Sequence, residues 1–423
     1  MTSSHLLSRR RFVSASVSAL AASASLGWLY RHELSADPGP LLADPRGILE
    51  LPRSFSYQIL QRAGDLMTDR FTVPPAPDGM ACFAGPDHSW ILMRNHEIHE
   101  GRPANPAMGY AANRGGGVTR LVLDRDDAHV RSSNFVLTGT SRNCAGGASP
   151  YGWLSCEETE EAGHGFVFLC NPFAVELQSP EPLPTLGRFS HEAVAFDPQS
   201  GISYMTEDKK DGAIYRHVPS SLERPFSSGA LEALKIVGVD AFDLSTGRQR
   251  GERFVVEWVP VDEPQAEFES TRDQAHEQGG AFFSRGEGAF FAGRSAYFCS
   301  TNGGPARRGQ LYRLDVGSGS EPDELTLVAQ AEQADALDRP DNIAVAPWGD
   351  VFLAEDGKEP NGIHILKPDG QSVLLARNAM NNGGSEISGI CFSPDGKWLF
   401  LNLQWEGLTL AVTGPFIEFA MGS

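Results

Sequence analysis

A short pattern recurs along the chain, and it constrains the fold more than any other feature. Each copy has a polar, mostly acidic residue, an apolar strand-like run, a turn rich in Gly, Pro or Asp, and a second apolar run that ends in a polar residue. The copies occupy residues 77–97, 143–158, 191–208, 286–302, 340–356 and 385–404. Most of them follow one another at the spacing of about 40–50 residues that is typical of four-stranded propeller blades.

This repeat predicts an all-β fold, namely a six-bladed β-propeller with a metal site at one end of its central channel. We expect residues 37–423 to form this single propeller domain. One step between copies is much longer than the others, and we assign its excess, about residues 218–280, to an inserted loop region. That region contains the polar, acidic stretch VDEPQAEFESTRDQAHEQ.

The N-terminus has the composition of an export signal. Three arginines, Arg9–Arg11, precede an Ala- and Ser-rich apolar run that ends near Leu29, which is typical of a twin-arginine leader. We therefore assign residues 1–36 to a signal peptide and leader that the twin-arginine translocation machinery would bind. The expected location is periplasmic or extracellular, with no stable membrane span after cleavage. An uncleaved membrane anchor is the alternative for the same run.

The chain is acidic, with a formal net charge of -19 and a pI near 5.0. Non-specific binding of nucleic acid needs basic patches, so nucleic acid is not expected as a partner. Carboxylates in such excess are either solvated or hold cations.

The repeat also predicts where many of these acids meet. In a propeller the innermost strands line the channel, so the first polar residue of each copy would face one axis. These residues are Asp78, Asn143, Glu192, Glu287, Asp341 and Glu386. The polar residues after the second runs would ring the same face: Glu97, Glu157, Glu158, Glu207, Asp208, Asn302, Glu355, Asp356 and Asn402. Each unpaired buried carboxylate costs several kcal/mol, which favours bound cations; solvated turn acids are the alternative.

Two residues suggest what such a site would do. Cys156 stands at the end of the second apolar run, the position at which other copies carry acids. A thiolate beside carboxylates favours iron or zinc over calcium alone. Arg285 stands two residues before Glu287, so both can face one side of a strand and bind an anionic oxygen group. Asn143 could donate its amide to the same anion. The combination predicts hydrolysis of a phosphate ester, whereas a buried inert thiol and simple charge balance remain open for Cys156 and Arg285.

The sequence resembles the PhoX family of alkaline phosphatase-like proteins over nearly its whole length after the leader. The resemblance rests on the twin-arginine leader and on several blocks that occur in one order. These blocks are MRNHE (93–97), NCAGGASPYGWLSCEE (143–158), GRFSHEAVAFDPQSGISYMTED (187–208), FSRGEG (283–288), TNGGPARRGQLYRLD (301–315), RPDNIAVAPWGDVFLAEDG (339–357) and SEISGICFSPDGKWLFLNLQ (385–404).

The resemblance implies a six-bladed propeller, a cofactor of Fe3+ and Ca2+, and hydrolysis of small phosphomonoesters, the activity of a phosphoric monoester hydrolase. It implies the following roles: Cys156 as the iron-bound thiolate, Glu192 and Glu287 as carboxylates shared with iron, Asp341 and Glu355 as calcium ligands, Glu157, Glu207 and Glu386 as further metal ligands by motif position, and Arg285 with Asn143 as phosphate-binding residues. This chain is shorter than many phosphatases of the family. A calcium-dependent, lactonase-like propeller hydrolase and a non-catalytic, calcium-stabilised binding propeller are the alternatives.

Overall fold

The structure is a computed structural model that describes residues 40–331, 337–358, 360–368 and 370–418. The predicted leader, residues 1–36, lies outside the described residues. Antiparallel β-strands are the main secondary structure of the described chain, and short helical segments connect some of them. These segments are α1 (Thr271–Glu277) and two 3-10 turns, Pro184–Leu186 and Met380–Gly383.

The strands are short, and a run of three or four of them corresponds to each copy of the sequence repeat. In chain order they are β1 (Leu41–Leu42), β2 (Leu49–Pro52), β3 (Ser56–Arg62), β4 (Pro77–Gly85), β5 (Ser89–His96), β6 (Gly116–Asp124), β7 (Val130–Thr140), β8 (Asn143–Ser149), β9 (Gly152–Glu157), β10 (Val167–Cys170), β11 (His191–Phe196), β12 (Ser203–Glu207), β13 (Ile214–Pro219), β14 (Gly229–Ile236), β15 (Arg253–Pro260), β16 (Gly286–Ala292), β17 (Ser295–Ser300), β18 (Gln310–Asp315), β19 (Asp323–Gln330), β20 (Pro340–Val345), β21 (Val351–Glu355), β22 (Gly362–Leu366), β23 (Ser372–Asn378), β24 (Ile387–Phe392), β25 (Trp398–Leu403) and β26 (Leu408–Thr413).

The described strands form five hydrogen-bonded sheets. Their strand orders are β4-β5-β6-β7, β10-β9-β8, β24-β25-β26-β3, β1-β2-β23-β22-β21-β20 and β11-β12-β13-β14-β15-β19-β18-β17-β16. The innermost strands β4, β8, β11, β16, β20 and β24 pack on one another in this order, and β24 packs back on β4. The sheets therefore close into a ring, which confirms the predicted all-β, propeller-like arrangement.

The separation into six sheets, which the repeat predicted, is not seen. Strand β15 pairs with both β14 and β19, so it joins two four-stranded halves, β11–β14 and β16–β19, into one nine-stranded sheet. Residues 218–280, predicted to be an insertion, contain β14, β15 and α1, while the domain assignment itself stays a prediction.

The hydrophobic core lies between neighbouring sheets. Strand residues alternate between the two faces of a sheet, and where both faces are covered the strand is buried along its whole length, as in β9, β11 and β25. Phe352 of β21 and Phe392 of β24 meet edge to face between two sheets, with ring centroids 4.8 Å apart. Leu401 of β25 is fully buried in the same layer.

The ring is closed by strands that lie far apart in the chain. Strand β3 completes the last sheet by pairing with β26. A fully buried arginine, Arg94 of β5, connects this last sheet to the first one: its Nη1 donates to Thr409 Oγ1 (2.7 Å) and its Nη2 to Gln61 Oε1 (2.9 Å). The closure is therefore a strand pairing reinforced by buried, charge-assisted hydrogen bonds.

Among the described residues, no helix has the length and apolar character needed to cross a lipid bilayer.

We expect Leu401→Ala to lower the free energy of unfolding by about 2–5 kcal/mol, because it removes buried apolar surface and leaves a cavity between two sheets. The matched control is Leu66→Ala, since the Leu66 side chain is 73% exposed and a substitution there changes stability by about 0.5 kcal/mol or less. Urea denaturation followed by tryptophan fluorescence measures both. Equal losses for the two variants would contradict this placement of the core.

Candidate metal centre

One end of the ring is organised by a hydrogen bond that recurs in every copy of the repeat. The backbone N–H of a residue just after a second strand donates to the carbonyl of a residue just before the innermost strand. Two examples are Glu158 N to Arg142 O (2.9 Å) and Asp356 N to Arg339 O (3.1 Å). The full set of donor and acceptor residues is Glu97 and Ala76, Glu158 and Arg142, Asp208 and Ser190, Thr301 and Arg285, Asp356 and Arg339, and Gln404 and Glu386.

This bond brings two tiers of polar side chains together. The first tier is the second residue of an innermost strand, and the second tier is the donor residue of the recurring bond. A register irregularity follows immediately in each innermost strand, and such bulges re-aim side chains at functional sites. We call the resulting group the acidic ring; it consists of Asp78, Cys144, Glu192, Glu287 and Asp341 from the first tier, Glu97, Glu158, Asp208 and Asp356 from the second, and Glu386.

A thiol lies in the middle of this group. Cys144 Sγ is 3.3 Å from Glu192 Oε1 and 3.7 Å from Asp78 Oδ2. Two sets of three possible metal-ligand atoms, each set within 4.8 Å, share this sulfur: one includes Asp78 and Glu97, and the other Glu158 and Glu192. A sulfur that is shared by two neighbouring ligand sets would be a soft ligand for a metal ion bound in either set.

The acids of the ring repel one another in a poorly solvated space. Burial raises the pKa of Glu192 well above its usual value, and the charges of Asp341 and Glu158 raise it further. Burial and nearby carboxylates also raise the pKa of Asp341 to about 7 and that of Glu158 to about 8, the latter against the opposing charge of Arg142. Like charges gathered in this way favour a bound cation or a bound proton.

Unsatisfied oxygen atoms indicate that a cation fits here. Asp78 Oδ2 accepts a hydrogen bond from Gln404 Nε2 (2.7 Å), whereas the buried Asp78 Oδ1 has no partner among the described residues. A buried acceptor without a partner costs about 1–3 kcal/mol or more. A metal ion bound by carboxylates and a thiolate would remove this cost, so the residues present fit a metal group.

Two arginines neutralise part of the ring. Arg142 Nη2 lies between Glu97 Oε1 (3.0 Å) and Glu158 Oε2 (2.8 Å). On another part of the ring, Arg285 makes a bidentate pair with Asp208, and its Nη2 also donates to Glu287 Oε1 (2.8 Å). Both guanidinium groups are partly exposed, so they can meet an incoming anion.

Several predicted site residues do meet at this end of the ring. Glu192, Glu287 and Asp341 occupy the first tier on β11, β16 and β20. Glu386 enters from the loop before β24, and burial with the charges of Asp341 and Asp78 raises its pKa. Arg285 lies beside them.

Cys156 and Glu157 are placed elsewhere. Cys156 is fully buried in an apolar cluster with Val167, Phe189 and Met205. Glu157 is a structural carboxylate: its oxygens accept from the backbone N–H groups of the 141 and 165–166 segments and contact His164. The reason is that Glu157 pairs with the first residue of β8, so its successor, Glu158, reaches the ring instead.

The same offset applies to three further predictions. Glu207 accepts from Tyr215 Oη (2.9 Å) and Arg272 Nη1 (3.0 Å), and Glu355 accepts from the backbone N–H groups of residues 338 and 362. Asn143 is buried, accepts from Thr140 Oγ1 and donates to Ser155 Oγ. These side chains hold the loops around the ring, and their neighbours Asp208, Asp356 and Cys144 enter it.

Cys144 is the ligand candidate that sequence reasoning missed, although a signal was available. The copies HEAVAF and PDNIAV begin one residue before their acids, Glu192 and Asp341. Aligned with them, NCAGG puts Cys144, not Asn143, at the position of the acid. Asp78, Glu97, Glu158, Asp208 and Asp356 were predicted to converge but were not singled out as ligands.

A comparison with protein families gives a match over most of the chain. The model of the family described as alkaline phosphatase PhoX matches residues 36–131 and 121–407. The chain belongs to the alkaline phosphatase PhoX family. Comparison with curated proteins found no match.

A comparison with solved structures gives the following matches. The structure of Pseudomonas fluorescens PhoX in complex with vanadate, a transition-state analogue, has a TM-score of 0.68 and 18% identity, and the match covers 90% of this chain and 98% of that one. The gluconolactonase XC5397 from Xanthomonas campestris has a TM-score of 0.40 and 12% identity, with 90% and 99% covered. At 18% identity, the match to the Pseudomonas fluorescens structure supports the fold alone.

We expect Glu157→Gln to destabilise the protein by about 1–3 kcal/mol, because the amide group would face backbone N–H donors that now bind a carboxylate. Glu158→Gln is the matched control, since Glu158 contacts Arg142 rather than these amides. Thermal unfolding of the two metal-free variants measures the difference. A larger loss for Glu158→Gln would contradict the structural role of Glu157.

We expect the metal-free protein to lose stability as the pH rises from about 4.5 to about 8. The pKa of Glu158 is about 8 in the folded chain against 4.5 in the unfolded chain, so the folded state binds more protons in this window and stability falls with pH. Melting temperatures of chelator-treated protein at pH 5 and pH 8 test this, and Glu158→Gln should reduce the slope. A flat or rising curve would contradict it.

Proposed function

We propose that this protein is a metal-dependent hydrolase of phosphomonoesters, as its family description suggests. The observation that carries the proposal is the position of Cys144, 3.3 Å from Glu192 Oε1 within a ring of buried acids. A purely structural role does not explain so many carboxylates around a thiol, because each buried, unpaired charge destabilises the fold. The arginines at the ring supply the complementary feature, since guanidinium groups bind phosphoryl oxygens in a fork geometry.

We propose further that the fold counts as a six-bladed propeller with the metal site at one end of its channel. On this view the nine-stranded sheet consists of two blades, β11–β14 and β16–β19, and β15 is a connecting strand. The recurring backbone bond, present once for each of six innermost strands, supports the count.

The proposed cofactor contains Fe3+ and Ca2+. Cys144 replaces Cys156 as the candidate iron-bound thiolate, because a soft sulfur ligand selects a transition metal. Asp78 and Glu97 on one side, and Glu158 and Glu192 on the other, would complete the two ligand sets that share it. Oxygen ligands without sulfur suit calcium, and the carboxylates of Glu287, Asp341 and Asp356 provide them.

The metals, when bound, would neutralise phosphoryl oxygens and activate water. The chain's own residues orient the substrate. Arg285 and Arg142 would bind non-bridging oxygens of the phosphoryl group and stabilise the charge that develops on them. Gln404, which donates to both Asp78 and Glu97, holds these two ligands at one geometry. Asn143 contributes by fixing the start of β8, and with it Cys144.

The lactonase-like alternative and the non-catalytic alternative need acids but no thiol. The presence of Cys144 within the ring favours the phosphatase over both. Export by the twin-arginine route to a periplasmic or extracellular location is part of the proposal and rests on the leader sequence, since Arg9–Arg11 lie outside the described residues.

We expect Cys144→Ser to lower kcat/KM for p-nitrophenyl phosphate by about a hundredfold, the loss that follows removal of one main group that stabilises the transition state. Cys156→Ser is the matched control, since this thiol lies in an apolar cluster, and it should retain activity. Elemental analysis of both variants should show iron lost only from Cys144→Ser.

Chelation should abolish turnover by the wild-type protein, and calcium with ferric iron should restore it. Metal-replete protein without phosphate release at alkaline pH would defeat the proposed function. Equal activity of the two serine variants would remove Cys144 from the centre.

A further inference from the structure

Arginine recurs at one unusual backbone position around the acidic ring. Arg142, Arg285 and Arg339 each stand two residues before a first-tier residue, and their φ angles are 49°, 49° and 56°. Residues with a side chain rarely adopt this left-handed conformation, which Gly and Asn adopt more easily. Ala76, two residues before Asp78, has the same conformation (φ 47°), so the backbone geometry belongs to the repeat, and arginine occupies this position in three of the four copies that adopt it.

Arg339 differs from the other two in its contacts. The guanidinium groups of Arg142 and Arg285 are bound to ring carboxylates, whereas that of Arg339 makes no hydrogen bond or ion pair with a described residue. Its position is nevertheless at the ring. Its carbonyl accepts from Asp356 N (3.1 Å), and its charge, with that of Arg285, opposes the rise that burial causes in the pKa of Asp356.

A second basic segment packs against Arg339. The loop 301–309 begins with Thr301, whose N–H donates to Arg285 O, and it reaches the 339 position through a bond from Arg339 N to Arg308 O (2.6 Å). Arg308 pairs with Asp338 (3.3 Å). The neighbouring Arg307 is exposed, has a φ of 52° and makes no ion pair within the described chain. We call Arg285, Arg307, Arg308 and Arg339 the basic rim.

The basic rim contrasts with the rest of the molecule. The chain carries a formal net charge of -19, and the ring beside the rim is acidic. Arg308 and Arg285 have carboxylate partners, so charge balance explains them. Arg339 acts on the charge of Asp356 without an ion pair, and Arg307 has no carboxylate partner among the described residues, so the guanidinium donors of both make no hydrogen bond within the described chain. Guanidinium groups left open beside a site for an anion are suited to bind a second carboxylate or phosphate in a bidentate manner.

We propose that Arg339 and Arg307 form a subsite for a second anionic group on the substrate, so that the enzyme prefers phosphomonoesters whose leaving group carries a carboxylate or a further phosphate. This inference rests on the proposed phosphatase function. The phosphoryl group to be hydrolysed lies at the metals with Arg285, and the second anionic group lies on the rim between β17 and β20. A neutral alcohol leaving group leaves this subsite empty.

Two substrates of similar size test the proposal. 2-Phosphoglycerate and glycerol 2-phosphate differ in that a carboxylate of the first replaces a hydroxymethyl group of the second. We expect the metal-replete wild-type enzyme to favour 2-phosphoglycerate by about tenfold in kcat/KM, the size expected for one charge-assisted contact. Added salt should reduce the preference.

Arg339→Asn and Arg307→Asn remove the charge and keep a residue that tolerates the left-handed conformation. We expect each to reduce the ratio of the two kcat/KM values several-fold, and the double variant to bring it close to one. Arg294→Ala is the control for net charge: this exposed arginine lies in the β16–β17 turn at the opposite end of the ring, and its ratio should equal that of the wild type.

The outcomes separate the two proposals. If neither substrate is hydrolysed by metal-replete protein, the proposed function fails. If both are hydrolysed but the wild-type ratio is near one, or if Arg339→Asn and Arg307→Asn keep the wild-type ratio, the subsite does not exist. A fall in the ratio for Arg294→Ala as large as for Arg339→Asn would indicate a general charge effect and would also overturn the subsite.

Discussion

Electrostatic repulsion among buried carboxylates is the constraint on which this structure depends. Nine acidic residues and one thiol meet at one end of the ring, and burial raises the pKa of Glu192, Glu287 and Glu386. Such a group is stabilised by bound protons or by positive charge brought to it. Arg142 and Arg285 bring some, and metal ions at the orphaned oxygen of Asp78 and the sulfur of Cys144 would bring the rest.

A recurring backbone hydrogen bond holds these charged residues together. One hydrogen bond, repeated six times, fixes the end of each second strand beside the start of an innermost strand. It also gives the two members of each pair of adjacent acids different roles. In Glu157–Glu158, Glu207–Asp208 and Glu355–Asp356, the first acid binds donors outside the acidic ring and the second acid enters it. The stability of the loops and the chemistry of the centre are therefore carried by neighbouring residues with opposite orientations.

The general architecture could be predicted because the repeat is local. Each copy specifies two strands and a turn, and copies of similar length must stack around one axis, so the convergence of Glu192, Glu287 and Asp341 followed. The merger of two sheets through β15 could not be predicted, since it is a pairing between edge strands far apart in sequence. The predicted metal ligands include Cys156, Glu157, Glu207 and Glu355, whereas the acidic ring contains Cys144, Glu158, Asp208 and Asp356. A shift of one residue along a strand reverses the side-chain direction. The first residues of the aligned copies indicate this direction for Cys144, whereas for the acids after the second strands it depends on strand ends and bulges that the sequence does not mark.

The pairing of β3 with β26 has a consequence for biosynthesis. During synthesis β3 leaves the ribosome early and β26 leaves it late. The edge of β3 that pairs with β26 therefore stays unpaired until almost the whole polypeptide has emerged. The candidate ligands of the acidic ring, which extend from Asp78 to Glu386, cannot surround an ion before that moment. A metal ion would therefore bind late in the synthesis of the chain, and a truncated product would lack both a closed ring and part of the candidate ligand set.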